Sequence, residues 1–133
     1  MYSGFKLFIV SCLISGSSLA ASHHPQEFLK HIKGAENEGE QIVQHFCASC
    51  HAPKPMIELG APKIGQDEEW AFRFRQGIKV LLDHTEEGIN AMPARGGCFE
   101  CSDEQLILAL LALLPEKLHN VALVELKDHK KNK

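Results

Sequence analysis

A cysteine and a histidine are neighbours only once in this chain, in Cys47-Ala48-Ser49-Cys50-His51, and no other stretch constrains the fold as much. Two thiols separated by two residues can reach the two vinyl groups of one haem, and the imidazole that follows then points at the iron from the same side. Thioether bonds need thiols, and the iron takes a neutral nitrogen at the ring centre. The run has the C-x-x-C-H form of c-type haem attachment, so one covalently bound haem c is the expected cofactor. Two other readings compete. Adjacent Cys and His can be a nucleophile and its base, but haem attachment would consume both thiols. A disulfide or half a zinc site would instead leave His51 at the surface.

The compartment bears on that choice. Cys47/Cys50 and Cys98/Cys101 are both C-x-x-C pairs, and in a cytosolic protein two such pairs suggest four thiolates around zinc. The chain, however, starts with Met1 to Gly4, a cation at Lys6, an apolar run from Leu7 to Ile14 and small residues from Ser15 to Ala21. A charged start, a short apolar run and small residues read as a signal peptide, cut after Ala20 to within two residues. The run is too short for a membrane span, which takes about 20 apolar residues. An ordered core segment or uncleaved anchor is the plain alternative. A sharper rival is Ile9-Val10-Ser11-Cys12, which has the form of a lipoprotein box with Cys12 as lipid acceptor, although only four apolar residues precede the Ser-Cys pair. Export favours disulfides or covalent cofactors over zinc thiolates.

Removing residues 1–20 leaves 113 residues with 13 cations and 17 anions. That is one domain, within the usual span of roughly 100 to 200 residues, with no room for a second enzyme domain or a polytopic membrane protein. No global basic surface exists to attract nucleic acid. Charge is unevenly spread: Glu36 to Glu104 holds 13 acids and six bases, whereas Pro115 to Lys133 holds five Lys and three acids. The expected organisation is a leader over 1–20, an N-terminal extension over 21–35, a haem domain over 36–114, and a C-terminal extension over 115–133 with a Lys-rich end.

A six-coordinate haem needs a second axial ligand. Beyond the leader only Met56 and Met92 remain. Met56 lies five residues past His51, too close to wrap round to the opposite haem face. Met92 lies 41 residues on, in Asn90-Ala91-Met92-Pro93, where Pro93 stiffens a loop able to hold the sulfur. Met92 is the expected ligand. His45 and His84 are the competing histidines, and both are read as exposed.

Together with Cys47 to His51, the run Gly60-Ala61-Pro62-Lys63-Ile64-Gly65, Trp70, Gly77 and the segment Asn90 to Glu104 resemble the cytochrome c5 group of class I c-type cytochromes. The resemblance covers Glu36 to Leu114, about 79 residues, and its most specific part is the Met-Pro segment closing on a second C-x-x-C. It implies a compact all-α fold around one haem, His51/Met92 ligation, a Cys98–Cys101 disulfide, and a Pro62 carbonyl that accepts the Nδ1 proton of His51. It also implies an electron carrier rather than an enzyme, in a bacterial periplasm. Redox proteins, such as a membrane cytochrome complex and a terminal oxidase or reductase, would be its partners, with no stable membrane insertion and a monomer or weak homodimer. The stretch before Gly39 and the tail after Leu114 depart from the family pattern.

Patterning supports helices independently. Ile42, Val43 and Phe46 fall at helical spacing before Cys47. Trp70, Phe74, Ile78 and Leu81 fit a helix broken near Gly77. Ser102 reads as an N-cap, with Gln105 completing a capping box and Pro115 as the stop. The nine apolar residues from Leu106 to Leu114 exceed one buried stripe. Leu106, Ala109, Leu110 and Leu113 should face the first helix and haem, leaving Ile107, Leu111 and Leu114 for a tail helix that carries Leu118, Val121, Ala122 and Glu125. Trp70 and Arg73 or Arg75 are candidate donors to the haem propionates. Alternative functions are a haem peroxidase or sensor with a labile Met ligand, and a zinc-ribbon interaction module.

Overall fold

Pro25 occupies the first turn of helix α1 (Pro25–Ile32), where its missing N–H would have had no helical partner. The computed structural model describes residues 24–131, with side chains described as far as residue 128; the expected leader, including Cys12, and the end of the Lys-rich tail lie outside the described residues. After a turn at Gly34, α2 (Glu38–Ile42) widens into a π turn (Val43–Cys47) and ends as α3 (Ala48–His51). Then follow α4 (Asp67–Phe74), α5 (Ile78–Glu87), a short 3-10 turn (Ala94–Gly97), α6 (Asp103–Leu113) and α7 (Glu116–Lys131). The fold is all-α, and among the described residues the only strand-like feature is an isolated bridge between Ile89 and Met92.

Local chemistry sets two of these boundaries. Gly77 separates α4 from α5 at φ 86°, a conformation that favours glycine. Ser102 accepts from the Gln105 N–H while the Gln105 side chain accepts from the Ser102 N–H, so both ends of the capping box are made.

The core forms where α2 crosses α6. Gly39 permits the crossing, because a Cβ there would collide with the Leu108 carbonyl and reach within 3.3 Å of the Ala112 Cβ. Leu106, Ala109, Leu110 and Leu113 are buried as one face of α6. Beside them lies a buried polar link: Glu38 accepts from the Gly34 N–H at 2.7 Å and from Gln105 Nε2 at 2.9 Å. Both Glu38 and Gln105 are buried, and the exchange of charge-assisted bonds compensates their lost hydration.

Neither extension hangs off this core. Leu29 and Ile32 of α1 and Ala122 and Leu126 of α7 are buried in the same apolar cluster as Ile42 and Leu110. The tail helix forms as expected, but its partner differs. It packs chiefly against α5 rather than α6. Glu125 Oε2 accepts from the Ile78 N–H at 2.8 Å, and Lys117 pairs with Asp67 at 3.0 Å. These contacts rotate the helix so that Ala122 and Leu126 face inward while Val121 is 48% exposed, against the expected inward placing of Val121. Leu114 is buried, and Ile107 and Leu111 are half-buried.

Candidate haem site

The π turn delivers Cys47 to the head of α3, which carries Cys50 and His51 one turn later. A π turn holds one more residue than an α turn, so the side chains after it are rotated relative to Ile42 and Val43, which stay in the core. The loop after His51 folds back on the run: Ile57 N–H donates to the Ser49 carbonyl at 2.9 Å and Ile64 N–H to the His51 carbonyl at 2.8 Å. This return places the Pro62 carbonyl 2.7 Å from His51 Nδ1. With Nδ1 donating there, Nε2 is left as the metal-binding nitrogen. Burial pushes the His51 pKa down, opposed by the Pro62 bond and reinforced by the Arg73 charge, so the imidazole is held neutral, the form a metal requires. The Cys47 thiol is pushed up to about 11, first by burial and then by Cys50.

Trp70 stacks near His51 with ring centroids 5.9 Å apart. Its indole N–H donates to the Lys63 carbonyl at 3.0 Å. That single donor is engaged within the chain rather than aimed at the cavity as a propionate donor would be, and the ring forms wall and support for the imidazole. Arg73 also borders the cavity, with Nη1 held by the Glu69 carboxylate at 2.6 Å. Arg75 instead lies over the Phe72 ring and takes no part in the wall.

The second wall comes from the segment after α5. Ile89 and Met92 exchange backbone bonds at 3.1 and 2.9 Å, a tight turn that presents the Met92 side chain. Gly88 lies so close to the Met92 carbonyl that a Cβ would approach it to 2.6 Å. On the far side of Met92, a Cβ on Gly96 would sit 3.8 Å from Met92 Cε and 4.0 Å from Cys47 Sγ. The Met92 loop and the Cys47 run thus meet edge to edge. Past the loop, the sulfurs of Cys98 and Cys101 lie 2.01 Å apart.

Between the walls is a cavity of about 390 Å³, faced by Phe46, Leu81, Leu106 and Leu110 and containing Cys47, Cys50, His51, Pro62 and Met92 on its lining. One imidazole, one thioether sulfur and two free thiols around an apolar slot make a donor set that suits haem c. The sulfurs of Cys98 and Cys101 face each other and are not grouped with Cys47 and Cys50 as a four-thiolate zinc site would need. Met56 is 90% exposed and outside the lining, and His45 is stacked on Phe28 with centroids 4.3 Å apart. His84 differs from expectation, being half-buried in the cavity wall. Arg95 also faces the cavity; the sequence offered it only as one position of the Asn90 to Glu104 segment, with no role attached.

Comparison with known proteins follows the same residues. The family described as cytochrome C oxidase, cbb3-type, subunit III matches residues 34–109. The chain is similar to cytochrome c5 of Azotobacter vinelandii, 35% identical over 79 residues that make up 58% of this chain and 92% of that protein. It is 37% identical to cytochrome c5 of Ectopseudomonas mendocina over 75 residues, 55% of this chain and 83% of the relative. To cytochrome c-555 of Prosthecochloris aestuarii it is 32% identical over 88 residues, 60% and 86% of the two chains.

Proposed function

The chain belongs to the class I c-type cytochromes, in the c5 group, and from that premise we propose that it carries single electrons between redox partners of a bacterial respiratory chain in the periplasm. The observation that carries the reading is the convergence of Cys47, Cys50, His51 and Met92 on one apolar cavity. The chain is a monohaem electron carrier, and haem c supplies its one-electron Fe(III)/Fe(II) couple. Cys47 and Cys50 would hold the haem by thioethers, and His51 Nε2 and the Met92 sulfur would be the axial ligands. The Pro62 carbonyl fixes the imidazole plane, while the apolar wall keeps water from the iron. Methionine ligation and burial both favour the reduced form and raise the potential. With His51 and Met92 both holding the iron, no position would be left for a substrate, which would separate a carrier from a peroxidase.

Location and partners rest on other features. The leader supports export, and among the described residues no helix is long and apolar enough to cross a membrane. The acidic haem domain supports partners that carry a complementary basic face. A haem stain of the denatured exported protein should be positive, because the bond is covalent. Met92→Ala should keep that stain while losing the long-wavelength absorption of an iron–sulfur(methionine) bond. A stain-negative protein would overturn the cofactor assignment at Cys47 and Cys50, and a surviving band would move the ligand role to another sulfur.

A further inference from the structure

Arg95 is the residue of the cavity wall whose features the electron-carrier reading leaves unused. Its backbone stands at φ 56°, a left-handed conformation that disfavours any side chain, next to Gly96 and Gly97, which adopt the same sign without strain. A glycine would suit position 95 better as backbone. What the side chain adds is a bridge: Nη2 donates to the Cys101 carbonyl at 2.6 Å and lies 3.1 Å from Asp103 Oδ1. The guanidinium thus reaches from the loop that carries Met92, past Cys98, to the first residue of α6. Its Nε is buried and has no hydrogen-bond partner among the described residues, so the group is held in place by the far end of its fork.

From this we propose that Arg95 is a positioning residue that clamps the Met92 loop onto the start of α6, keeping the methionine sulfur on the iron against competing ligands. The proposal rests on Met92 being an axial ligand. Two anchors of unequal weight hold the clamp. Asp103 is 72% exposed, and an ion pair so open to solvent is screened and weak. The Cys101 carbonyl belongs to a buried residue fixed at the entry to α6, so the short bond to it sets the geometry. From there the constraint runs through Ala94 and Pro93, whose ring limits the backbone, directly to Met92. On its other side the loop passes the Cys47 run at Gly96, where a Cβ would lie at van der Waals distance from both Met92 Cε and Cys47 Sγ.

The test titrates the oxidised haem-bound protein with imidazole, reading loss of the iron–sulfur(methionine) band, with the thermal unfolding midpoint measured in parallel. Arg95→Gln should bind imidazole at least tenfold more tightly than the parent, a difference of about 1.4 kcal/mol. Arg95→Gly relaxes the backbone yet lacks the fork, and should show the same gain. Arg95→Lys, which keeps the charge but not the planar fork, should rescue it only in part. Asp103→Asn should stay within twofold of the parent. Unchanged imidazole affinity in both Arg95→Gln and Arg95→Gly overturns the clamp, even where the unfolding midpoint falls, because that pattern describes a purely structural side chain. A band that persists in Met92→Ala removes the ligand assignment and the clamp with it, an outcome distinct from an intact ligand that Arg95 does not hold.

Discussion

Cys98 and Cys101 sit at the hinge between the Met92 loop and α6, and their pairing is proposed to stiffen that hinge rather than to stabilise the whole fold. The ring they close spans only four residues, so it removes little chain entropy, and Cys98→Ser with Cys101→Ser should cost an amount near the lower end of the roughly 0 to 5 kcal/mol range for disulfides. Unreduced intact mass should be two hydrogens below the dithiol form, and native alkylation should label neither cysteine; two labelled thiols would refute the pairing. Single residues were legible in the sequence where their chemistry is local. The proposed haem residues Cys47, Cys50 and His51 are read from their spacing, and Met92 from elimination and from Pro93; the structure brings all four to one cavity. The second ring nitrogen of His51 was visible only through resemblance, since Pro62 reaches it by the return of an eleven-residue loop. The partner of the Trp70 indole, the Lys63 carbonyl, is a backbone atom that no side-chain pattern reveals.

Among the elements, α2 and α6 cross with Gly39 set against the Leu108 backbone. Gly39→Ala would push a methyl against the Leu108 carbonyl, which cannot rotate away as a side chain could. Overpacking of this kind costs about 1–3 kcal/mol. The variant should show a lower denaturant midpoint at unchanged slope, with the iron ligation intact. The start of α6 was legible because a capping box is a four-residue affair, and the break at Gly77 was legible because glycine is local punctuation. The π turn was not. Ile42, Val43 and Phe46 have the spacing of a regular helix, and nothing in that pattern signals the extra residue that re-aims Cys47 and Phe46 toward the cavity.

At the scale of the whole molecule, α1 and α7, which lie outside the family match at residues 34–109, both contribute to the core. A chain ending at Leu114 would lose the buried Ala122 and Leu126 and leave the Ile78 N–H without Glu125. Losing a capping acceptor costs about 0.5–2 kcal/mol, and each fully buried large aliphatic side chain contributes roughly 1.5–3 kcal/mol. Its melting temperature should therefore fall and its binding of hydrophobic dyes rise while the haem spectrum survives; an unchanged melting temperature would show that α7 contributes nothing. The excess of apolar residues in α6 predicted that a tail helix would return, but Glu125 and Lys117 find their partners on α5 and Asp67, across distances in sequence that periodicity does not span. The crossing of α2 with α6 also has a consequence in time. Cys47, Cys50 and His51 lie within a run of five residues and would need no tertiary structure to meet one haem, whereas Met92 would come within reach only once the chain has closed the long loop from Gly39 to Leu108. On the proposed ligation, assembly would be ordered: the chain could be pigmented while still unfolded, and the arrival of Met92 would report that the fold is complete.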